Sequence, residues 1–335
     1  MPIVDELAWL AFYLPRQGVQ RLARALPLVA VRDRLPHVLA ERLRFGLYPA
    51  RITEPASVEC APRHPEWGDP AALDPKRRIA FSGTPRASLL VVTYDNLALT
   101  RLCLASLQRA AGALPFEIIV VDNASRDATA AHLRAVAAEG LLPLRFVENE
   151  SNRGFAAATN QAASLARGDV LVFLNNDTVV VPGWLERLVA HLDRDPSLGL
   201  VGPVTNACGN AAAEVGAPYR DLVEMAGFAE ISVGDRDGPL DEIGMLTLFC
   251  AATPRRLFDE VGGLDERYRV GMFEDDDLCL AVRRRGRRLG LARDVFVHHF
   301  GGAAFSRLPP RDYLRIFWEN RRRFERKWGE RWQAR

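Results

Sequence analysis

The chain has 335 residues, of which 48% are hydrophobic and 26% charged, and its 44 basic and 42 acidic side chains give a net charge of +2. This composition is typical of a globular protein and excludes collagen-like, fibrous and largely disordered chains. The balanced charge provides no whole-molecule field that would attract nucleic acid, so we expect no nucleic-acid partner.

The cysteines and the N-terminal hydropathy bear on the cellular compartment. Five scattered cysteines are too few, and odd in number, for a disulfide framework. The apolar run from Leu7 to Leu14 is too short to span a membrane or to form the core of a signal peptide. We therefore expect a cytoplasmic protein, with peripheral attachment to the inner face of the cell membrane as an alternative.

Two segments precede the predicted main domain. Residues 1–52 combine helical apolar spacing with many arginines, which predicts a helical region that either caps the main domain or lies on a membrane surface. Residues 53–86 contain six prolines and little periodicity, which indicates an irregular linker.

From residue 87 to about residue 305, short apolar runs alternate with amphipathic stretches, as in strands joined by crossover helices. Strands are predicted at Ser88–Thr93, Glu117–Val121, Leu144–Val147 and Val170–Leu174. Helices are predicted at Leu97–Ala111, Ala128–Ala138, Phe155–Arg167 and Gly183–Asp193. Gly168 is expected in the left-handed position after the third helix. Because the strands are almost entirely apolar, the predicted fold is α/β, with a mostly parallel sheet covered by helices on both faces.

Polar side chains follow three of these strands at the edge where ligands bind to open α/β sheets. The segments are Thr93-Tyr94-Asp95, Asp122-Asn123-Ala124-Ser125 and Asn175-Asn176-Asp177. Any one of them fits a turn or a helix cap, and Ser125 is assigned to a cap of the next helix. Asp122 suits the donor groups of a base or ribose, and Asp177 suits a hard divalent cation. No G-x-G-x-x-G or P-loop motif is present, which argues against a Rossmann cofactor site and a P-loop kinase.

Four consecutive acids, Glu274 to Asp277, come immediately before an apolar-periodic stretch that begins at Leu278 and ends in arginines. Acids before a helix and cations at its end are ordinary helix electrostatics. However, four acids exceed what capping needs, and their repulsion should raise the pKa of at least one, as a general base near neutral pH requires.

A predicted strand from Asp294 ends in His298 and His299, followed by two glycines. Alternation sends the two imidazoles to opposite faces, so at most one should reach the site as a metal or phosphate ligand. The sequence does not choose between them.

Seven blocks in this order resemble the inverting family 2 glycosyltransferases with the Rossmann-like GT-A fold, particularly the bacterial rhamnosyltransferase-like and O-antigen branch. The blocks are Val91–Asp95, Val120–Ser125, Asn152–Ala156 with Asn160, Phe173–Asp177, Gly262–Glu266, Glu274–Cys279 and His298–Gly301. They fall within residues 87–305 and leave the predicted helical extensions at both ends unexplained.

The resemblance implies a UDP-, dTDP- or GDP-sugar donor and a glycan or lipid-linked acceptor. It implies a nucleotide pocket formed by Thr93, Tyr94, Asp95, Asp122, Asn123, Asn152, Gly154 and Asn176. It implies Mg²⁺ or Mn²⁺ at Asp177 and His299, with Asn175 where the family's D-x-D motif has its first acid. Asp275 is the expected general base, and the neighbouring Glu274 and Asp277 are expected to orient either Asp275 or the acceptor. Residues 205–245, which fit no strand and helix rhythm, are expected to be acceptor-side loops.

Two alternatives stay open. A non-catalytic nucleotide-sugar-binding or scaffold protein could keep the same fold. The C-terminal segment, residues 306–335, has ten cationic and four acidic side chains and aromatics at helical spacing. It is either a helix that packs its aromatics on the core, or a surface for an anionic membrane or a lipid-pyrophosphate acceptor.

Overall fold

The computed structural model describes residues 69–208, 210, 213, 215–233, 238, 240–301 and 310–333. The chain divides into two compact units, the larger spanning residues 52–306, and the C-terminal helix belongs to the smaller unit. The predicted N-terminal helical region and most of the predicted linker lie outside the described residues.

The described residues form nine strands and eight α-helices. The strands are β1 (Ala87–Thr93), β2 (Phe116–Asp122), β3 (Leu144–Glu148), β4 (Val170–Asn175), β5 (Thr178–Val180), β6 (Leu198–Val204), β7 (Leu240–Glu242), β8 (Cys250–Pro254) and β9 (Arg288–His299). The helices are α1 (Leu97–Arg109), α2 (Thr129–Glu139), α3 (Phe155–Leu165), α4 (Trp184–Arg194), α5 (Leu222–Val233), α6 (Arg255–Val261), α7 (Glu274–Arg284) and α8 (Pro310–Trp328). The four strands and four helices predicted between residues 88 and 193 are all present, with shifts of one or two residues at their ends.

The strands form one sheet in the order β3-β2-β1-β4-β8-β6-β9-β5, and β7 pairs with β9. β3, β2, β1 and β4 are parallel, whereas β8 is antiparallel to both β4 and β6. β5 and β7 are antiparallel to β9. β6 and β9 are parallel to each other. The predicted α/β fold is confirmed, and the first four strands are all parallel, but the whole sheet is mixed.

Both faces of the sheet carry a hydrophobic core, as the apolar strands predict. Leu90 and Ile119 lie on one face in a cluster with residues of α3, α5 and α7. Leu89 and Ile118, one position earlier in each strand, lie on the other face with residues of α1, α2 and α4. Because successive side chains of a strand point to opposite faces of the sheet, the same buried strands contribute residues to both hydrophobic cores.

The prediction for Gly168 is wrong. α3 ends at Leu165, Ala166 is extended, and Gly168 has no positive φ. A Cβ at Gly168 would lie 2.8 Å from the backbone of Ala87 and Ser88. Glycine is needed at this position for a close approach to β1, not for a helix end.

The boundaries of two later segments also differ from the predictions. The expected loop region, 205–245, contains helix α5 and strand β7. α5 has apolar residues all round and Gly227 in its middle, so it lacks an amphipathic signal. The four acids at Glu274–Asp277 form the first turn of α7 and do not precede it.

Residues 69–86 form no helix or strand, in agreement with the predicted irregular segment, but they are fixed to α1. Gln108, which is 1% exposed, accepts a hydrogen bond from the Asp74 amide at 2.7 Å and donates to the carbonyls of Asp74 and Arg77 at 3.0 and 2.6 Å. This part of the predicted linker therefore packs on the domain that follows it.

Within the residues described above, none of the helices could cross a bilayer.

Candidate active site

The carboxyl ends of β1, β2 and β4 lie side by side. The parallel register pairs Thr93 with Asp122 and Val92 with Asn175. The polar segments that follow these strands therefore share one edge of the sheet, which is where ligands bind to this class of sheet.

Asp122 is turned inward at this edge and is fully buried. Its Oδ1 accepts hydrogen bonds from the hydroxyls of Thr93, at 2.9 Å, and Ser125. Its Oδ2 accepts the Ser125 amide at 2.9 Å. Ser125 thus holds Asp122 and does not cap the next helix as predicted. Asp127 accepts the Thr129 amide in the first turn of α2 instead, at 2.9 Å.

Tyr94 and Asp95 lie above this buried carboxylate and are partly exposed. The Asp95 amide donates to the Ser125 hydroxyl, and the Asp95 carboxylate accepts the Arg126 amide, both at 2.7 Å. Asp95, Asn96 and Ala124 all have positive φ, a conformation that costs free energy in residues other than glycine and is concentrated at functional sites. The two loops are therefore locked to each other.

Side-chain amides join the β2 loop to the loop before α3. The Asn123 side chain donates to Asn152 Oδ1 at 2.9 Å and to the Gly154 carbonyl at 3.2 Å. Asn123 Oδ1 accepts from the Arg153 amide at 3.0 Å and from Asn149 at 3.2 Å. The predicted nucleotide residues Asn123, Asn152 and Gly154 thus form one network at the same edge.

Gly154 also allows a second loop to approach. It has a φ of 84°, and a Cβ would lie 1.6 Å from the Arg269 carbonyl oxygen. Arg269, Met272 and Phe273 all have positive φ, and Phe273 is the N-cap of α7 without a side-chain cap. The absence of a side chain at residue 154 therefore allows the segment before the acid cluster to lie against this loop.

Asp177 and His299 form the predicted metal pair. Asp177 Oδ1 and His299 Nε2 are 3.3 Å apart, and both residues are buried. Burial raises the pKa of Asp177, but His299, a backbone hydrogen bond and His298 together more than offset this and hold the pKa below its ordinary value. Asn176, a predicted nucleotide residue, donates to the Thr100 hydroxyl of α1 at 2.9 Å.

The donor atoms of this pair fit a divalent cation. Asp177 Oδ1 is buried and receives no hydrogen bond from any described residue. A separation of 3.3 Å is close to the roughly 3 Å between adjacent ligands in an octahedral shell with bonds of about 2.1 Å. No cluster of three or more His, Cys, Asp or Glu side chains suited to a metal occurs in the described part of the chain. The remaining ligands would have to be water and substrate oxygens, as is usual for Mg²⁺.

The two histidines face opposite ways, as the alternation predicts. His298 Nδ1 lies 2.6 Å from the Tyr219 hydroxyl, and burial lowers the pKa of His298 to about 3. His299 Nδ1 lies 2.7 Å from the Ala207 carbonyl, and its ring stacks on Phe249 with centroids 4.7 Å apart. His299 is therefore the one that reaches Asp177.

The acid cluster creates a pair of strongly perturbed carboxyl groups. Burial, with the nearby acids, raises the pKa of Glu274 to about 7. Burial and Glu274 raise the pKa of Asp275 well above its ordinary value, although the Leu248 amide donates a hydrogen bond to it. Glu274 is buried and Asp275 is partly exposed, so Asp275 is the more accessible of the two.

Asp277 lies on the inner side of α7 and is 2% exposed. Its Oδ1 accepts the Tyr268 hydroxyl at 3.0 Å. Tyr268 belongs to the 3₁₀ turn Glu266–Tyr268, so this bond ties α7 to the segment that lies against Gly154.

Two consecutive residues connect the metal pair to the acid cluster. Leu248 donates its amide to Asp275, and the Phe249 ring stacks on His299. The Phe249 carbonyl also accepts the Asn175 amide at 2.7 Å. Asp177 and Asp275 therefore lie on either side of one short segment, at the same edge of the sheet.

Sequence reasoning assigned no site role to several residues that build this edge, namely Ser125, Asn206, Ala207, Tyr219, Leu248 and Phe249. Each acts through a contact with a residue far away in the chain or through its backbone. Asn206 and Tyr219 lie within residues 205–245, which were expected to form acceptor-side loops. The side-chain amide of Asn206 and the hydroxyl of Tyr219 are polar groups that could have marked these two residues as site candidates in the sequence.

Residues 88–259 match the sequence model of a family described as Glycosyl transferase family 2. The O-antigen biosynthesis protein RfbC of Myxococcus xanthus is 28% identical over 290 residues, which are 82% of this chain and 21% of that protein. The succinoglycan biosynthesis protein ExoU of Rhizobium meliloti (strain 1021) is 29% identical over 57% of this chain and 54% of its own length. The chain thus spans about a fifth to a half of these curated relatives.

A solved structure has a similar fold. The mannosyltransferase PcManGT from Pyrobaculum calidifontis, in complex with GDP-Man and Mn²⁺, superposes with a TM-score of 0.50 at 22% identity. The similarity covers 85% of this chain and 70% of that one. The predicted GT-A fold is confirmed.

Proposed function

The chain belongs to glycosyl transferase family 2, and we propose that it transfers a sugar from a nucleotide-sugar donor to a hydroxyl group of a glycan or lipid-linked acceptor, with inversion at the anomeric carbon. The observation that carries this proposal is the joining of the Asp177–His299 pair to the partly exposed Asp275 through Leu248 and Phe249.

The donor nucleotide binds along the ends of β1 and β2. Tyr94 is partly exposed there and can stack on a base or ribose. Asp95 and the amide network of Asn123, Asn152 and Gly154 supply hydrogen-bonding groups beside it. The Asp122 carboxylate accepts hydrogen bonds from Thr93 and Ser125, so it stabilises the loops that form this pocket.

Asp177 and His299 hold a divalent cation, Mg²⁺ or Mn²⁺. When bound, the cation neutralises charge on the diphosphate leaving group. Asp177 would supply an anionic oxygen to the cation, and His299 would supply a ring nitrogen, 3.3 Å from that oxygen. The Mn²⁺ in the PcManGT complex supports this choice of cofactor.

Asp275 acts as the general base. It takes the proton of the acceptor hydroxyl as that oxygen bonds to the anomeric carbon and the bond to the donor phosphate oxygen breaks on the opposite face. Its raised pKa suits proton transfer near neutral pH, and the Leu248 amide fixes one side of the carboxylate. Glu274 and Asp277 orient α7, Asp277 through its bond to Tyr268.

The names of two relatives point to a class of pathway. RfbC is named for O-antigen biosynthesis and ExoU for succinoglycan biosynthesis. A role in polysaccharide biosynthesis at the cytoplasmic face of the membrane fits both names, and it would bring the enzyme close to lipid-linked acceptors.

α8 supports peripheral membrane contact. One of its faces exposes cationic side chains on both sides of Trp318, which is 37% exposed. The exposed cations on this face are Arg311, Arg315, Arg322 and Arg326. An arginine-rich face with an exposed tryptophan is typical of helices that lie on anionic lipid.

The enzyme activity is tested with the full chain, Mn²⁺ and a panel of UDP-, GDP- and dTDP-sugars, by measuring release of nucleoside diphosphate with and without glycan acceptors. We expect one donor to be turned over and Asp275→Asn to reduce kcat by about 10²- to 10⁴-fold, the usual effect of removing a general base. Asp276→Asn removes a carboxylate from the same turn and should keep most of the turnover. Donor binding without release with any acceptor would instead identify a non-catalytic binding protein.

A further inference from the structure

The backbone of His299 is held by a side chain. Asn206 Oδ1 accepts the His299 amide at 2.8 Å, and Asn206 Nδ2 donates to the His299 carbonyl at 3.0 Å. The next residue, Ala207, places its carbonyl oxygen 2.7 Å from His299 Nδ1. Two consecutive residues therefore contact His299 at its amide, its carbonyl and its ring.

The Asn206 side chain lies beside β9 where β6 would pair with it if β6 were longer. β6 pairs with β9 only as far as Val204 and Phe296, after a register shift at Pro203. On the opposite edge of β9, His299 pairs with Thr178 of β5. Because buried backbone groups need hydrogen-bond partners, the Asn206 amide satisfies the two backbone groups of His299 that a longer β6 would otherwise meet.

The Ala207 carbonyl fixes the position of one ring hydrogen. A carbonyl oxygen can only accept, so His299 Nδ1 carries the hydrogen in this contact. In the neutral imidazole the lone pair is then on Nε2, the atom that faces Asp177 at 3.3 Å. Stacking on Phe249 restricts rotation of the same ring.

We propose that Asn206 is a positioning residue that presents Nε2 of His299 to the divalent cation. This inference rests on the proposed function, because it requires a cation between Asp177 and His299. Asn206 contacts His299 and not the cation. Groups that orient a metal-ligating histidine typically change metal affinity by ten- to a hundredfold when they are removed.

The test measures binding of Mn²⁺ by isothermal titration calorimetry to the full chain, in the presence of whichever of UDP, GDP and dTDP stabilises the wild type most. Asn206→Ala is compared with His299→Ala and with a control, Asn210→Ala. Asn210 donates to the Met245 carbonyl at 2.7 Å and is 4% exposed. Its truncation removes a similar amide from the same region without touching His299.

We expect the Mn²⁺ dissociation constant to rise about ten- to a hundredfold in Asn206→Ala and to be unchanged in Asn210→Ala, while thermal unfolding shows that both variants fold. Saturating Mn²⁺ should restore turnover in Asn206→Ala, which a general folding defect would not allow.

Wild-type affinity in Asn206→Ala, with affinity lost in His299→Ala, would overturn the role of Asn206 and leave the metal site intact. Equal weakening in Asn206→Ala and Asn210→Ala would also overturn it. If the wild type bound no Mn²⁺ with any of the three diphosphates, the proposed metal-dependent function would fall, and the role of Asn206 with it.

Discussion

Glu274 and Asp275, two adjacent carboxyl groups in the first turn of α7, bind protons more tightly in the folded chain than ordinary carboxyl groups do. The pKa of Glu274 is raised to about 7 by burial and by its acidic neighbours, and that of Asp275 is raised as well. A group whose pKa is higher in the folded chain contributes stability below its unfolded value, about 4.3 for glutamate. That contribution is lost as the pH rises through the folded pKa.

Glu274→Gln should therefore stabilise the protein at pH 8 and have little effect at pH 5. At pH 8 the substitution removes a buried negative charge whose Oε2 receives no hydrogen bond from the described residues, whereas at pH 5 the wild-type carboxyl is already neutral. We expect a gain of about 1 to 3 kcal/mol at pH 8, visible as a higher Tm. An equal change in Tm at both pH values would contradict a pKa raised by burial.

The same substitution should shift the pH dependence of catalysis. Asp275 must be ionised to accept a proton, so kcat/KM should fall as the pH drops through the raised pKa of the pair. Replacing Glu274 with glutamine removes the neighbouring charge that raises the pKa of Asp275. The acidic limb of the profile should then move to lower pH. A limb that does not move would mean that another group limits the rate.

The residue patterns show which parts of the site could be predicted. Thr93, Asp122 and Asp177 follow apolar strands, and the ends of parallel strands share an edge whatever the rest of the fold is. Asn206 and Phe249 follow no such rule, because both contact His299, which is distant from them in the sequence. The inward orientation of Asp122 was also not predictable, since it depends on the hydroxyl of Ser125.

At the level of elements, the loops before α3 and before α7 depend on each other through Gly154. Gly154→Ala places a Cβ 1.6 Å from the Arg269 carbonyl oxygen, at a residue with a φ of 84°. The segment from Arg269 to Phe273 must then move, and the acids at the start of α7 move with it. We expect about 2 to 4 kcal/mol of lost stability, from the clash and the left-handed conformation together, and a large loss of turnover.

Gly216→Ala is the matched control for this prediction. A Cβ at Gly216 meets no atom of the described residues within 4 Å, and the residue does not have a left-handed φ. Its Tm and its turnover should stay close to those of the wild type. If Gly154→Ala were equally well tolerated, the two loops would not be coupled as the contacts indicate.

At the scale of the whole sheet, the site lies where the four parallel strands β3, β2, β1 and β4 meet the mixed part of the sheet. β1, β2 and β4 supply the proposed nucleotide side, while Phe249 lies immediately before β8 and His299 is the last residue of β9. The parallel half was predictable because strand and helix alternate locally along the sequence. The mixed part depends on pairing between distant segments, such as β5 with β9, and local patterns carry little information about it.

The net charge of the whole molecule is only +2, yet the exposed face of α8 gathers arginines around Trp318. We expect the full chain to co-sediment with vesicles that contain phosphatidylglycerol and not with neutral phosphatidylcholine vesicles, and to dissociate as salt is raised. Replacing both Arg322 and Arg326 with glutamine should weaken binding by about 2 kcal/mol, since each cation near the surface contributes about 1 kcal/mol.

The control for this experiment replaces Arg256 and Arg283 with glutamine. Both side chains are exposed on the larger unit, so the double variant loses the same two charges without changing α8. Its binding should match that of the wild type if the position of the charges decides the affinity. Equal losses in the two double variants would show that only the total charge matters, and binding to neutral vesicles would contradict an electrostatic attachment.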